Sequence, residues 1–121
     1  MSAARRSPEW HVDRALQHVG QLREHLHRGL DLDDPLLQDA VAMQLVATID
    51  ALIAAETVGA GEVAEAFGDT WRRMVGMRNL LVHEYAVLDV ELLRTAVTVD
   101  LTAVEETARG LRRTWTDPHT G

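Results

Sequence analysis

The 121-residue sequence has no cysteine, and this absence excludes disulfide bonds, thiolate metal sites and cysteine-based catalysis. Aromatic residues make up only 4% of the chain, so its core must be aliphatic. Proline occurs only three times, while Leu, Ala and Val dominate, and this composition favours helices. Hydrophobic residues at 46% and charged residues at 26% give the balance of one small globular domain.

The sequence also lacks an excess of positive charge, since its formal net charge is −7. A general nucleic-acid coat protein would be basic, so we expect any contact with RNA to be confined to a small positive patch or to involve only a few nucleotides. No run of about 18 apolar residues occurs, and no membrane span is therefore expected. The N-terminal segment MSAARRSPEW lacks the apolar stretch of a secretory signal. Together with the missing cysteines, these features favour a cytoplasmic location.

Apolar residues recur every three to four positions through the chain, which is the pattern of amphipathic helices. The first helix is predicted over residues 8–28, with Ser7 as its N-cap and Pro8 in its first turn. The second helix is predicted to begin at Pro35 after the cap Asp34 and to end near the glycines that follow residue 58. Its apolar face is broad, so we expect it to be the central helix of a bundle.

The second half of the chain predicts one short turn and two further helices. The short turn is expected at residues 62–67, and the third helix opens with Asp69 or Thr70 as its cap. Asp89 is the predicted cap of a fourth helix over residues 90–113. Four antiparallel helices with short loops predict an all-α, up-down four-helix bundle. The expected leader, helical domain and flexible tail are residues 1–7, 8–114 and 115–121.

Three histidines, His11, His18 and His25, lie seven residues apart on one face of the first helix. Seven residues of helix rise about 10.5 Å, whereas zinc ligands must lie roughly 2 Å from one ion. The spacing therefore excludes a shared metal. We interpret these histidines as part of a solvated polar face.

The segment MRNLLVHEYAVLD, residues 77–89, is unusually rich in functional groups. On an ideal helix, where each residue turns by about 100°, Arg78 and Tyr85 share one face. A second face carries the stripe Arg72, Gly76, Asn79 and His83. A glycine inside a helix costs about 1 kcal/mol relative to alanine, and one reason to retain it is the close approach of another helix.

The residue types in this segment are those that RNA cleavage without a metal would need. Histidine suits proton transfer near neutral pH, and arginine offers a fork of donors to a phosphate. A base could deprotonate the ribose 2′-hydroxyl while a cation stabilises the charged phosphorus transition state. One histidine cannot easily act as both base and acid, but a two-fold dimer would bring a second copy to the same place. The alternative is an ordinary exposed polar helix, in which Tyr85 would be a half-buried packing residue.

The residues Arg78, His83 and Tyr85 spell R-x4-H-x-Y, which resembles the signature of the HepT-like toxins of the HEPN superfamily. The longer segment TWRRMVGMRNLLVHEYAVLDVELLRTAVTVDL is similar to the family around this signature. The segment DAVAMQLVATIDAL resembles the family's preceding helix. The resemblance covers roughly residues 10–113 and is strongest over residues 71–100.

This resemblance implies an all-helical bundle that forms a homodimer through its motif helices. It implies a metal-independent ribonuclease toxin without a cofactor, whose partner is a small nucleotidyltransferase antitoxin that transfers AMP to the motif tyrosine. Carried over, Arg78 and His83 would be catalytic, Asn79 would support them, and Tyr85 would accept the AMP group.

Arg72 and Arg73 are candidates for contacting RNA. The second helix carries Met43, Gln44 and Leu45 where family members often have an apolar residue followed by Glu, so no auxiliary acidic residue is assigned. The rival hypotheses are a non-catalytic module that docks a nucleotidyltransferase or a nucleotide, and a purely structural dimerisation bundle.

Overall fold

The computed structural model describes residues 6–28, 32–59, 61–84 and 89–116. Every regular element within these ranges is helical, which confirms the predicted all-α bundle. In chain order the elements are α1 (Pro8–His27), α2 (Pro35–Val58), α3 (Glu62–Phe67), α4 (Asp69–His83), α5 (Val90–Thr95), a π-helical turn (Ala96–Asp100) and α6 (Leu101–Thr116).

Three of the predicted helix caps are confirmed. The side-chain oxygen of each cap accepts a hydrogen bond from a backbone N–H two or three residues further on, at 3.1 Å for Ser7 and 2.9 Å for both Asp34 and Asp89. These bonds satisfy backbone donors that have no partner inside the helix. Capping depends on neighbouring residues alone, which is why the sequence predicts it well.

The predicted cap of α4 is wrong. Neither Asp69 nor Thr70 is the N-cap, because the helix already begins at Asp69 and its N-cap is Gly68. Gly68 has a φ of +59° and makes no side-chain capping bond. Glycine adopts this backbone conformation at little cost, so the chain can leave α3 and enter α4 within one residue. Asp69 therefore lies in the first turn, where its negative charge interacts favourably with the positive end of the helix dipole.

The last predicted helix is interrupted and longer than expected. In the π turn the Leu101 N–H donates to the carbonyl of Ala96, five residues earlier. This adds one residue to the helical turn, so the residues of α6 face different directions from those they would have in a continuous α-helix. α6 also continues through Trp115 and Thr116, which the sequence analysis assigned to the tail. The Trp115 indole N–H donates to Glu62 Oε2 at 2.9 Å and so joins α6 to α3.

The core is aliphatic, as expected, and α2 lies at its centre. Val41 and Leu52 of α2 are fully buried, and Phe67 of α3 is 6% exposed. By length and composition alone α2 is apolar enough to cross a membrane, which differs from the sequence-based expectation. The central helix of a bundle meets the same criterion, and α2 packs against α1, α3, α4 and α5.

The histidine face of α1 is not wholly solvated. His18 is half-buried, and its Nδ1 lies 3.0 Å from Gln44 Oε1 on α2. Gln44 Nε2 in turn donates to Gln21 Oε1 at 2.9 Å. The polar groups of α1 therefore contact α2 directly. Within the described ranges, no group of three His, Asp or Glu side chains could hold a metal ion.

Candidate functional site

The described motif residues, Arg78 and His83, lie on the outer side of α4. The inner side of this helix is fixed by Met74 and Leu81, which are buried. Arg78 is half-buried, whereas Asn79 and His83 are exposed. The tyrosine of the motif, Tyr85, lies outside the described residues.

Arg78 is held in place from two sides. Its Nε donates to Asp50 Oδ1 on α2 at 2.7 Å, and its Nη1 donates to Asn79 Oδ1 at 3.1 Å. The Arg78 side chain is 29% exposed, so its remaining N–H groups are accessible from outside. A guanidinium fixed in this way is oriented before a phosphate arrives, which lowers the cost of ordering it.

Asp50 is the residue that the sequence analysis missed. It lies 28 positions before Arg78 and on a different helix, so only the packing of α2 against α4 brings the two together. The weak signal in the sequence was a carboxylate inside the apolar segment ATIDAL. The acidic partner of Arg78 is thus supplied from α2, although Met43, Gln44 and Leu45 depart from the family pattern on that helix.

His83 does not join the cluster around Arg78. The two residues are five positions apart, which corresponds to about 140° around an ideal helix and a rise of about 7.5 Å. His83 is the last residue of α4, and within the described ranges its imidazole has no hydrogen-bond partner. One chain therefore provides an oriented cation and a separate, accessible imidazole.

The first two residues of the stripe predicted on α4 are exposed. Arg72 and Gly76 face solvent, and a Cβ added at Gly76 would meet nothing within 4 Å. The close approach expected at this glycine is therefore not made by any described part of the same chain. The neighbouring Arg73 is also exposed and donates to Thr70 Oγ1 at 3.5 Å.

A groove opens on the flank of α4 that faces away from Asp50. Among the described residues, no Cα of α4 lies within 8 Å of α5, the π turn or α6. The space between them is a cavity of about 510 Å³ with an apolar floor on α2 and α6. We call it the π groove; Gly76 and Arg73 line it on α4, and Val99 and Asp100 line it on the π turn. The sequence does not predict this groove, because one of its walls is the π turn, which has the same periodicity as an ordinary helix.

The chain is an all-α bundle with an Arg-Asn pair and a histidine on the outer side of one helix, and its class is that of HEPN-like helical domains. A family model described as Ribonuclease HepT-like matches residues 12–111, so the chain belongs to that family. This match confirms the resemblance that the motif indicated. The family is described as one of ribonucleases, which are enzymes that cleave RNA. No curated protein and no solved structure matches the chain.

Proposed function

We propose that this chain is the toxin of a toxin–antitoxin pair, a cytoplasmic ribonuclease that cleaves RNA without a metal at a site formed by two copies. Its activity is switched off when a partner nucleotidyltransferase adenylylates Tyr85. The observation that carries the proposal is the fixed guanidinium of Arg78, which lies on the same helix as the accessible imidazole of His83. Family membership supports the class of reaction.

The proposed reaction uses these groups as follows. The imidazole of His83 takes the proton of the ribose 2′-hydroxyl, whose oxygen then attacks the neighbouring phosphorus. Arg78 stabilises the negative charge that builds up on the phosphoryl oxygens. The bond to the 5′-oxygen breaks, and that oxygen takes a proton from the partner's His83. The products are a 2′,3′-cyclic phosphate and a free 5′-hydroxyl, with no redox change and no cofactor.

An exposed apolar face supports the two-copy site. Leu36 and Met43 on α2 are 78% and 69% exposed, and Val82 on α4 is 45% exposed. Between and beyond them along α2 lie three half-buried alanines with helical spacing, at positions 40, 47 and 54. The Asp50–Arg78 pair joins α2 to α4 and lies on this same side of the molecule.

A monomer gains nothing by exposing such a surface, whereas a second copy would bury it. Small alanine side chains permit a close approach between helices. A two-fold axis through this face would bring the two motif helices together. We call this surface, defined by Leu36, Met43, the three alanines and Val82, the α2/α4 face.

The proposed switch follows from the position of Tyr85 two residues after His83. Its phenol oxygen would attack the α-phosphorus of ATP, pyrophosphate would leave, and the phenolic proton would pass to solvent. The product carries a bulky, negatively charged phosphodiester, which would compete with RNA for Arg78 and obstruct the site. Tyr85 lies outside the described residues, so this part rests on the motif and the family.

Cleavage of RNA in the presence of EDTA tests the central proposal. We expect His83→Ala to reduce the rate by roughly a hundredfold or more, and Arg78→Ala by a similar factor. His27→Ala serves as the matched control, because His27 is exposed on α1, away from α4. Cleavage that persists in His83→Ala, or that requires magnesium, would refute the mechanism. A tight complex with a nucleotidyltransferase and no cleavage at all would favour the non-catalytic docking module.

The modification is tested separately by intact mass after co-expression with the partner transferase. We expect the mass to rise by one or more AMP units and Tyr85→Phe to abolish the increase. An unchanged mass with an active transferase would refute the switch without affecting the cleavage mechanism.

A further inference from the structure

The π groove contains two charged residues, one on each wall. Arg73 lies on α4 and Asp100 at the end of the π turn, while the floor is formed by aliphatic side chains such as Ile49 and Leu101. Thr70 on α4 and Thr95 at the end of α5 add hydroxyl groups. A concave, mainly apolar site with a few polar groups is the usual form of a small-molecule or base-binding pocket, and 510 Å³ lies within the size range of such pockets.

Asp100 is the acidic residue of the π groove. It is half-buried, and in the described part of the chain its carboxylate makes neither an ion pair nor a hydrogen bond. The opposite cation, Arg73, contacts Thr70 instead. A carboxylate beside an apolar floor is unfavourable unless donors reach it, so Asp100 is matched to a ligand that brings N–H groups into the groove.

We propose that the π groove is a base-recognition subsite that binds a guanine of the RNA substrate, with Asp100 accepting hydrogen bonds from its N1–H and N2–H groups. This rests on the proposed ribonuclease function and adds its substrate preference. The plane of the base would lie against Met74 and Met77 on the α4 side of the groove.

The carboxylate distinguishes the four bases by their Watson–Crick edges. Guanine presents two adjacent N–H donors, which a carboxylate can accept together. Adenine and cytosine each place a ring-nitrogen acceptor beside their amino group, and uracil flanks its single N–H with two carbonyl oxygens. Those acceptors would face the negative charge of Asp100. The groove therefore favours guanine and disfavours the other three bases.

Gly76 connects the groove with the cleavage residues. It lines the π groove and also belongs to the exposed stripe that continues through Asn79 to His83. Because Gly76 has no side chain and open space around it, an RNA backbone can cross α4 at this point. The rise from Gly76 to His83 is about 10.5 Å, or about three stacked nucleotides.

Arg73 supplies the cation that this crossing requires. It is exposed at the groove wall and has no carboxylate partner within the described ranges. An arginine side chain offers a fork of donors to a phosphate. A guanine in the groove and a phosphate at Arg73 would set the register of the strand, with the scissile bond at a fixed distance from the guanine.

Two measurements test the proposal. In the first, cleavage positions are mapped on an RNA pool of random sequence. We expect wild-type protein to cut at a fixed offset from guanine, and Asp100→Asn to reduce this preference roughly tenfold to a hundredfold. Glu106→Gln is the matched control, since it makes the same charge change at an exposed position of α6 outside the groove.

In the second, guanosine 5′-monophosphate and adenosine 5′-monophosphate are titrated into uncleaving His83→Ala protein, with chemical shifts followed by NMR. We expect only the guanine nucleotide to shift groove residues, and Asp100→Asn to abolish the effect. Gly76→Leu provides a second variant, which narrows the crossing without altering Asp100 and should weaken guanine-directed cleavage.

The outcomes separate this proposal from the proposed function. Cleavage without base preference refutes the guanine subsite and leaves the ribonuclease intact. If Asp100→Asn converts the dimer to a monomer, and the wild-type protein does not bind guanine, then a second copy of the chain fills the groove and the guanine subsite is refuted. Guanine binding in a protein that never cleaves RNA would refute the ribonuclease and retain the subsite.

Discussion

At the scale of single residues, Asp50 is the clearest new element of the candidate site. Its carboxylate accepts from Arg78 Nε at 2.7 Å and fixes the guanidinium together with Asn79. The pair remains partly exposed, with 29% of the Arg78 side chain and 46% of the Asp50 side chain accessible. Exposed ion pairs contribute about 1 kcal/mol or less to stability, so a larger effect on catalysis would identify positioning as the main role.

We expect Asp50→Ala to lower kcat roughly tenfold to a hundredfold, because Arg78 would no longer be held for the phosphate. The melting temperature should fall by only a few degrees. Asp50→Glu restores a carboxylate and should recover part of the rate. Steady-state kinetics and thermal unfolding of both variants check this. A rate loss that merely follows unfolding would show that Asp50 is structural.

Gly76 provides a second test at the residue scale. Replacing a helical glycine that has open space around it with alanine should raise the free energy of unfolding by about 1 kcal/mol. Gly20 on α1 is the matched control, since an added Cβ there also meets nothing within 4 Å. We expect both Gly76→Ala and Gly20→Ala to raise the unfolding free energy, and only Gly76→Ala to slow RNA cleavage. Equal activity in the two variants would show that the glycine has no functional role.

At the scale of helices, the sequence predicted what depends on neighbouring residues. Ser7, Asp34 and Asp89 cap their helices as expected because a cap needs only a backbone N–H two or three residues away. The π turn at residues 96–100 was not predicted, because its residues have the same periodicity as an ordinary helix and its geometry depends on packing. Asp50 was missed for a related reason, since its partner lies on another helix.

The contact between α1 and α6 carries a prediction of its own. Burial raises the pKa of Glu105. Hydrogen bonds from Arg109 and Arg23, together with their positive charges, lower the pKa by more than burial raises it, so the net pKa lies below that of an ordinary glutamate. Because the folded state binds the proton more weakly than the unfolded state, the carboxylate stabilises the protein at neutral pH. That contribution is lost as the pH falls through the lowered value.

We therefore expect Glu105→Gln to reduce the free energy of unfolding by about 1 kcal/mol at neutral pH. The difference from wild type should shrink towards zero in acid, below the ordinary glutamate range. Denaturant unfolding at several pH values measures it. Glu106→Gln, at the adjacent exposed position on α6, should show little effect at any pH. A difference for Glu105→Gln that grows in acid would contradict the assignment.

At the scale of the whole molecule, two surfaces lie on opposite flanks of α4. The α2/α4 face is continuous with the Asp50–Arg78 pair, and the π groove lies beyond Gly76. The motif predicted the importance of α4, and the family match confirms the class of protein. Neither surface could be predicted from the sequence, because the apolar residues of α2 are spread around most of the helix and only the packing shows which of them remain exposed.

The assignment of these two surfaces predicts which one forms the dimer. Ala47 is half-buried in the middle of the α2/α4 face, whereas Val99 is 63% exposed at the π groove. We expect Ala47→Glu to convert the dimer to a monomer and to abolish RNA cleavage, because it places a charge and a larger side chain in the contact.

Val99→Glu is the matched control on the opposite flank and should leave the dimer intact. Sedimentation and circular dichroism of both variants separate loss of association from loss of folding. A helical monomer for Ala47→Glu that still cleaves RNA would show that one copy suffices for the reaction. A monomer for Val99→Glu and a dimer for Ala47→Glu would exchange the roles of the two surfaces, placing the second copy in the π groove and leaving the α2/α4 face open to another partner.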